Sequence, residues 1–169
     1  VTARGTKRDA ESKLAELQHQ MDTGGYVKPS KLTVAEHLRN WLRDYAATRV
    51  RPRTYEGYAM IVEKHLIPGL GRTTLSQLQP EQIERYYAKA LESGRSDGKG
   101  GLSARTVKHH HRVLSEALTY AVRKNRVVRN VAQAVTPPRP VNQEMNTLDE
   151  AGVDALLVVA RETPYYHLF

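Results

Sequence analysis

Apolar residues recur every three or four positions in one segment of the chain after another, and segments that alternate with the two-residue period of a strand hardly appear. Such spacing puts one apolar stripe on each helix, and that stripe has to be buried against other helices. Hydrophobic residues make up 40% of the 169 residues, which is enough for a packed core. The sequence therefore predicts an all-α fold.

Residues that begin and end helices flank the first two stripes. A helix is predicted over residues 7–21, with Thr6 as its N-cap and Gly24 and Gly25 after its last turn. The next helix starts with a capping box formed by Thr33 and Glu36. Its stripe consists of Val34, Leu38, Trp41, Leu42 and Tyr45.

Two further helices are predicted before the middle of the chain. Pro52 suits the first turn of one of them, and the pair Pro68 and Gly69 is expected to end it. Its inner face consists of Tyr55, Tyr58, Ala59, Val62 and Leu66. The other begins near Pro80, and its stripe consists of Ile83, Tyr86, Tyr87, Ala90 and Leu91.

A long helix follows a glycine-rich segment, residues 93–101, which is expected to be mobile. Ser103 is its predicted N-cap. Its buried stripe is predicted to consist of Val107, His111, Leu114, Leu118, Ala121 and Val122. A helical turn is expected at residues 130–135, and the prolines of residues 137–140 form a stiff break.

A last helix is predicted after this break. A second capping box, formed by Thr147 and Glu150, is expected to begin it. The residues predicted to point inward are Val153, Leu156, Leu157 and Ala160.

Positive charge is concentrated in one part of the chain. The formal net charge is +8 and the pI about 9.8, which favours a polyanionic partner such as nucleic acid. Between Lys99 and Asn130 there are eight Lys or Arg residues and one acid, Glu116. A merely solvated positive surface is the alternative interpretation of this pattern.

The bases on the long helix share one face. Arg105, Lys108, His109 and Arg112 lie three or four residues apart and are turned away from the apolar stripe. Ser103, Thr106 and the free backbone N–H groups of the first turn add donors that favour an anion. Together with Lys99, these residues are predicted to contact DNA phosphates.

A second candidate patch precedes the helix at Pro52. Arg51 and Arg53 stand there, with Arg49 before them and Thr54 and Tyr58 behind them. The spacing of Tyr58 with Tyr55 and Val62 fits core packing slightly better than DNA contact.

The sequence argues against several classes of function. The absence of cysteine excludes disulfides, cysteine-ligated metals and thiol chemistry, and no apolar run approaches the roughly 18–20 residues of a membrane span. The start of the chain lacks the apolar stretch of a signal peptide, so a cytoplasmic location is expected. His109, His110 and His111 point about 100° apart on a helix and are not expected to share a metal. No nucleotide-binding or hydrolase motif occurs, so neither a cofactor nor a small-molecule substrate is expected.

Four stretches in unbroken order resemble the core-binding domain of phage integrases, the tyrosine recombinases. They read Leu-Thr-Val-Ala-Glu at 32–36, Arg-Pro-Arg-Thr-Tyr-Glu-Gly-Tyr at 51–58, His-Leu-Ile-Pro-Gly-Leu-Gly at 65–71 and Leu-Ser-Ala-Arg-Thr-Val at 102–107. The resemblance covers residues 32–139. Residues 6–27 look like the last helix of an arm-site-binding domain, and residues 146–169 look like the start of a mixed catalytic domain.

The resemblance implies a domain order and a role. Residues 33–136 would be a SAM-like bundle of four to five helices that holds crossover-site DNA, with an arm-domain helix at 1–27, a linker at 28–32, a hinge at 137–145 and a catalytic start at 146–169. Members of the family break and rejoin DNA through a tyrosine, without metal or energy cofactor, and assemble as tetramers. Both ends of the chain look cut from a longer protein, and no catalytic residue is expected within it.

Two other functions fit a basic helical chain. A helix-turn-helix regulator would need two short helices with a tight turn and base-reading side chains on the second. The long connection at 67–80 and the glycine-rich segment at 93–101 do not suit that arrangement. A helical protein-interaction module would not need a basic face on one side.

Overall fold

The computed structural model describes residues 6–22, 30–95, 98–141, 147–164 and 166, and every regular element in these ranges is helical. The elements are α1 (Lys7–Asp22), α2 (Val34–Asp44), α3 (Pro52–Ile61), α4 (Ile67–Leu70), α5 (Pro80–Ser93), α6 (Ala104–Arg123) and α7 (Glu150–Ala160). Three 3-10 turns lie at Ala46–Thr48, Leu75–Gln77 and Val131–Ala134. The predicted all-α fold is confirmed.

The predicted N-caps of α2 and α6 are present. Thr33 Oγ1 accepts a hydrogen bond from the Glu36 N–H at 3.2 Å, and Glu36 Oε2 accepts one from the Thr33 N–H at 2.8 Å. These bonds hold the pKa of Glu36 below its usual value, the backbone N–H of Thr33 having the larger effect. Ser103 Oγ accepts from the Thr106 N–H at 3.2 Å. Each cap pairs N–H groups that a helix start leaves unbonded.

Helix α2 packs against α3, α4 and α6, and α5 completes the bundle by packing against α4 and α6. Val34, Leu38 and Trp41 on its inner face are fully buried. His37, which the apolar stripe did not include, is also fully buried. Its Nε2 lies 2.8 Å from the Ala117 carbonyl oxygen, and Arg126 Nη1 donates to its Nδ1 at 3.2 Å. Because a guanidinium only donates, Nδ1 is the acceptor and Nε2–H the donor, so His37 joins α2 to α6 as a neutral ring.

The helix that begins at Pro52 runs on past the predicted stop. A wider π-type turn at Val62–Leu66 connects α3 to α4, and the Ile67 N–H bonds to the Val62 carbonyl. The prediction that Pro68 and Gly69 end the helix was therefore wrong. The π turn changes the hydrogen-bond register just before Pro68, where a proline lacks a donor, so the chain stays helical to Leu70.

The buried side of α6 differs from the prediction at its histidines. His110, and not His111, is fully buried, together with Val107, Val113, Leu114, Ala117, Leu118 and Ala121. His111 and Val122 are only half-buried. His111 Nδ1 lies 2.8 Å from the Tyr87 hydroxyl, and His110 Nδ1 lies 2.7 Å from the Tyr86 hydroxyl. Two adjacent tyrosines of α5 thus each bond to one of the two histidine rings.

The fully buried His110 forms a polar cluster with the half-buried Tyr86 and His65. The rings of His110 and His65 are 4.7 Å apart, and His110 Nε2 has no hydrogen-bond partner in the described part of the chain. Burial, followed by the nearby His65 and His109, lowers the pKa of His110 to about 4. The ring is therefore neutral in the folded domain at neutral pH.

Three details at the later helices also depart from the predictions. Asp149 rather than Thr147 caps α7, accepting from the Gly152 N–H at 2.8 Å. Val153 and Leu156 are exposed rather than inward, and so is Leu91 of α5. Ala160 is buried, as predicted. An apolar stripe predicts a buried face only where a second element covers it.

Some predictions fall partly outside the described residues. These are the glycines at 24–25, the linker at 28–32, part of the glycine-rich segment at 93–101, and the hinge at 137–145. The two ends of the chain, at residues 1–5 and 167–169, also lie outside them. No helix in the described ranges combines the length and the apolar character that crossing a membrane requires.

We predict that Gly69→Ala destabilises the domain by about 1–3 kcal/mol, since a methyl group there meets packed atoms. A Cβ at Gly69 would lie 2.5 Å from Cδ2 of Tyr86, whose hydroxyl is bonded to His110. Gly57→Ala is the matched control, because nothing lies within 4 Å of its Cβ position and alanine favours a helix by about 0.5–1 kcal/mol. Urea unfolding measures both variants. Equal effects of the two would contradict the packing of Tyr86 on Gly69.

We also predict that the domain loses stability as the pH falls from about 6.5 towards 4. In this range an unfolded histidine takes up a proton, whereas folded His110 does not until its pKa of about 4. Protons then bind preferentially to the unfolded chain. For His110, this lowers the free energy of unfolding by about 3 kcal/mol at pH 4. His37, His65 and His111, whose pKa values are also lowered by burial, act in the same direction. His110→Gln should flatten the pH dependence of the unfolding free energy, and His109→Gln, at an exposed position, should leave it steep.

Candidate nucleic-acid interface

The outer face of α6 carries cations that no carboxylate in the described ranges pairs with. Arg105, Lys108, His109 and Arg112 are all exposed, on the side opposite to Val107 and Leu114. Among the described residues, none of the three Arg and Lys side chains lies within 4 Å of a carboxylate. Arginines elsewhere do have such partners: Arg39 forms two bonds of 2.9 Å with Glu63, and Arg43 forms one of 2.7 Å with Asp44.

The helix starts at the two predicted patches have the same unusual electrostatics. Among the described helices of eight or more residues, α3 and α6 are the two with no acidic residue in the first turn. The others carry Asp9, Glu36, Glu81 and Glu150 there. An acid in the first turn neutralises the positive end of the helix dipole. Its absence leaves the starts of α3 and α6 open to an external anion.

Arg51 and Arg53 stand at the start of α3. Arg51 is the N-cap residue and is exposed, with no side-chain bond to the helix. Arg53 forms an ion pair of 3.2 Å with Glu56, but its side chain is 94% exposed, so the pair contributes little. Thr54 is also exposed. These side chains remain accessible to a ligand.

Tyr58 and Glu116 form a contact between α3 and α6, the helices that carry the two patches. The Tyr58 hydroxyl donates to Glu116 Oε2 at 3.4 Å, and the Tyr58 ring stacks on Trp41 at a centroid distance of 5.6 Å. Burial and the charge of Glu116 raise the pKa of Tyr58, while the charge of Arg112 opposes that rise. The charge of Arg112 therefore acts on the Tyr58 hydroxyl. Tyr58 is half-buried, with its ring packed against the core and its hydroxyl bonded to Glu116.

The loop before α6 holds the helix start in place. The Leu102 N–H donates to the Ala90 carbonyl at 2.8 Å, so the loop returns directly onto the end of α5. A Cβ at Gly101 would overlap the carbonyl oxygen of Leu91, which is why glycine stands there. Lys99 is exposed in the same loop, while Ser103 and Thr106 share a contact of 2.9 Å between their hydroxyls.

A groove beside α6 extends the surface beyond the residues that the sequence pointed to. Its volume is about 740 Å³, and it is lined by Tyr45, Lys108, His109, His111, Arg112, Ser115, Glu116, Thr119, Tyr120 and Arg123. The α6 residues of the groove could have been predicted from the sequence, because Ser115, Thr119 and Arg123 continue the three- and four-residue spacing from Arg112. Tyr45 comes from the end of α2, and local spacing gives no sign of it.

Asn130 fixes the wall of this groove. Its Nδ2 donates to the Ser115 carbonyl at 2.8 Å and to Thr119 Oγ1 at 2.9 Å. Lys124 lies 5.6 Å from the centre of the Tyr120 ring, and Arg49 lies 4.6 Å from the centre of Tyr45. The groove therefore combines fixed hydroxyls with cations held over aromatic rings.

The three consecutive histidines diverge in the structure. His109 is exposed, His110 bonds to Tyr86 and His111 to Tyr87. Within the described ranges, no three His, Asp or Glu side chains come together as metal ligands.

Comparisons with known sequences point to one family. A family model described as phage integrase, N-terminal SAM-like domain, matches residues 33–91. An integrase of Saccharopolyspora erythraea is 30% identical over 162 residues, which cover 94% of this chain and 36% of that protein. An integrase of Streptomyces ambofaciens is 30% identical over 159 residues, covering 94% of this chain and 39% of that protein. The chain thus spans less than two fifths of the length of these curated relatives.

Solved structures show the same fold. The phage integrase SAM-like domain of Moorella thermoacetica is 38% identical, covers 71% of this chain and 97% of its own, and has a TM-score of 0.54. A lambda integrase dimer bound to a COC′ core site matches 95% of this chain and 46% of its own, at 16% identity and a TM-score of 0.63. A lambda integrase tetramer bound to a Holliday junction matches 97% of this chain and 48% of its own, at the same identity and TM-score.

Proposed function

Because the chain belongs to the phage integrase family, we propose that its helical bundle holds duplex DNA by the phosphate backbone at a recombination crossover site. One observation carries the proposal: α3 and α6 both begin without an acidic residue, both present arginines at or near their first turn, and meet at the contact between Tyr58 and Glu116. Two anion-binding helix starts on adjoining helices suit two points of a phosphate backbone.

The proposed phosphate contacts lie at two places on the bundle. At the start of α3, Arg51, Arg53 and Thr54 bind one stretch of backbone. A second stretch of backbone is bound at α6, by Lys99, Ser103, Arg105, Thr106, Lys108, His109 and Arg112. The Tyr58 hydroxyl lies between the two. Phosphate contacts of this kind position a protein on DNA and carry no sequence information of their own.

We propose the domain organisation and the activity of the protein on the same basis. Residues 33–136 are the core-binding domain, 1–27 the end of an arm-binding domain, 137–145 a hinge and 146–169 the start of a catalytic domain. The relatives are more than twice as long as the chain, which leaves room for that domain. The full-length protein would break and rejoin DNA as a tetramer. A related fold in a tetramer bound to a Holliday junction supports this assembly.

We predict that Arg105→Ala combined with Arg112→Ala weakens binding to all duplexes alike. Each lost phosphate contact removes about 0.9 from the slope of log affinity against log salt, so the slope should flatten by about 2. Gel-shift titrations over a range of salt concentrations measure this. Unchanged affinity together with an unchanged slope would rule out this face as the DNA surface.

The matched control is Arg39→Ala combined with Arg43→Ala. It removes the same charge from exposed arginines that are already paired with Glu63 and Asp44. We expect it to leave the slope nearly unchanged. Equal losses in both double variants would mean that net charge alone, and not the α6 face, drives binding.

We further predict that Ser103→Asp separates stability from DNA binding. Aspartate caps a helix about as well as serine, and its charge suits the helix dipole, so thermal unfolding should show equal or higher stability. The same charge repels a phosphate at this helix start, so DNA affinity should fall. Ser103→Ala should instead lower the stability by about 1 kcal/mol and reduce DNA affinity less than Ser103→Asp does. Undiminished binding by Ser103→Asp would contradict a phosphate at this position.

A further inference from the structure

We propose that Glu116 reads a cytosine in the major groove of the bound duplex, an inference that rests on the DNA-binding function proposed above. Glu116 is the single acidic residue between Lys99 and Asn130, a range that contains eight Lys or Arg residues. A carboxylate on a phosphate-binding surface repels the backbone unless it meets a hydrogen-bond donor. The question is therefore which donor a duplex can offer at this position.

Glu116 lies within the cationic stripe of α6, the row formed on its outer face by Arg105, Arg112 and Arg123. At about 100° per residue, Arg105, Arg112 and Arg123 are all within about 40° of Glu116 around the helix axis. At about 1.5 Å per residue, the stripe from Arg112 to Arg123 is about 16 Å long, with Glu116 inside it. The major groove of DNA is about 12 Å wide. A helix laid in that groove brings its flanking cations to the phosphates and its middle to the base edges.

The chemistry of the base edges favours cytosine. In the major groove, guanine presents the acceptors N7 and O6, and thymine presents the acceptor O4, all of which repel a carboxylate. Adenine presents an amino donor next to the acceptor N7, so one carboxylate oxygen remains repelled. Cytosine presents an amino donor without a neighbouring acceptor on its own edge. An ionised Glu116, which only accepts hydrogen bonds, is therefore best matched by cytosine.

The structure also holds Glu116 in place. Its side chain is half-buried, and Oε2 accepts from the Tyr58 hydroxyl at 3.4 Å, while the Tyr58 ring stacks on the fully buried Trp41. The Tyr58 hydroxyl uses one lone pair of a group that can accept about four hydrogen bonds. Glu116 keeps acceptor capacity for a base while its position is defined from a second helix.

The test is a selection of duplexes from a randomised pool by the chain Val1–Phe169, followed by sequencing of the bound fraction. For the unchanged protein we expect one position enriched about tenfold or more in cytosine. Glu116→Gln should shift that position from cytosine to adenine, because a glutamine side chain bonds adenine at both N6 and N7. Tyr58→Phe keeps the ring on Trp41 and removes the hydroxyl, so it should reduce the enrichment several-fold without introducing another base.

Glu84→Gln is the matched control, since it makes the same change of charge at an exposed position of α5. It should leave the selected bases unchanged. Thermal melting of each variant confirms that it is folded. Cytosine enrichment that survives Glu116→Gln would show that Glu116 only supports Tyr58, and would overturn the inference.

Two further outcomes separate this inference from the function on which it rests. Salt-dependent binding with no preferred base would leave the proposed DNA binding standing and overturn base reading by Glu116. The absence of any duplex binding at low salt would overturn both.

Discussion

The packing of α6 against the rest of the bundle is the interaction on which both the fold and the candidate DNA surface depend. Val107, Leu114 and Leu118 bury its inner side, and His37 of α2 bonds to the Ala117 carbonyl at 2.8 Å. Asn130 bonds to the Ser115 carbonyl from the segment after the helix. Apolar burial holds the helix in the bundle, and the directional bonds define its rotation. Once that rotation is set, the cationic stripe necessarily faces outward.

This arrangement concentrates positive charge at a cost to the isolated domain. Like charges along one helix face repel each other, and helix starts without an acid lose a favourable dipole interaction. Other parts of the bundle show the opposite pattern, with Arg39 and Arg43 each paired with a carboxylate. The difference follows the proposed division of surfaces, in which one face receives phosphates and the remainder meets solvent.

Sequence patterns predicted the local features well. The capping box at Thr33, the cap at Ser103 and the helix start at Pro52 all depend on groups within four residues, and the structure contains each of them. The exposure of Arg105 and Arg112 followed from helical spacing in the same way. The cap of α7, at Asp149 rather than Thr147, was a local error. Other errors arose where a distant partner or a changed register intervened. The π turn carried the helix past Pro68, and Tyr86 and Tyr87 distinguished His110 from His111.

What the amino-acid sequence determined by itself was the set of helices, their caps and the concentration of charge on one side of α6, because these depend on interactions between near neighbours and on the 3.6-residue period. The tertiary structure alone decided which of three histidines is buried, that Tyr45 lines the groove, and that Tyr58 meets Glu116. A period relates residues to one another around one helix, but it does not determine how that helix is rotated against its neighbours. That rotation is decided by the packing of side chains that lie far apart in the chain.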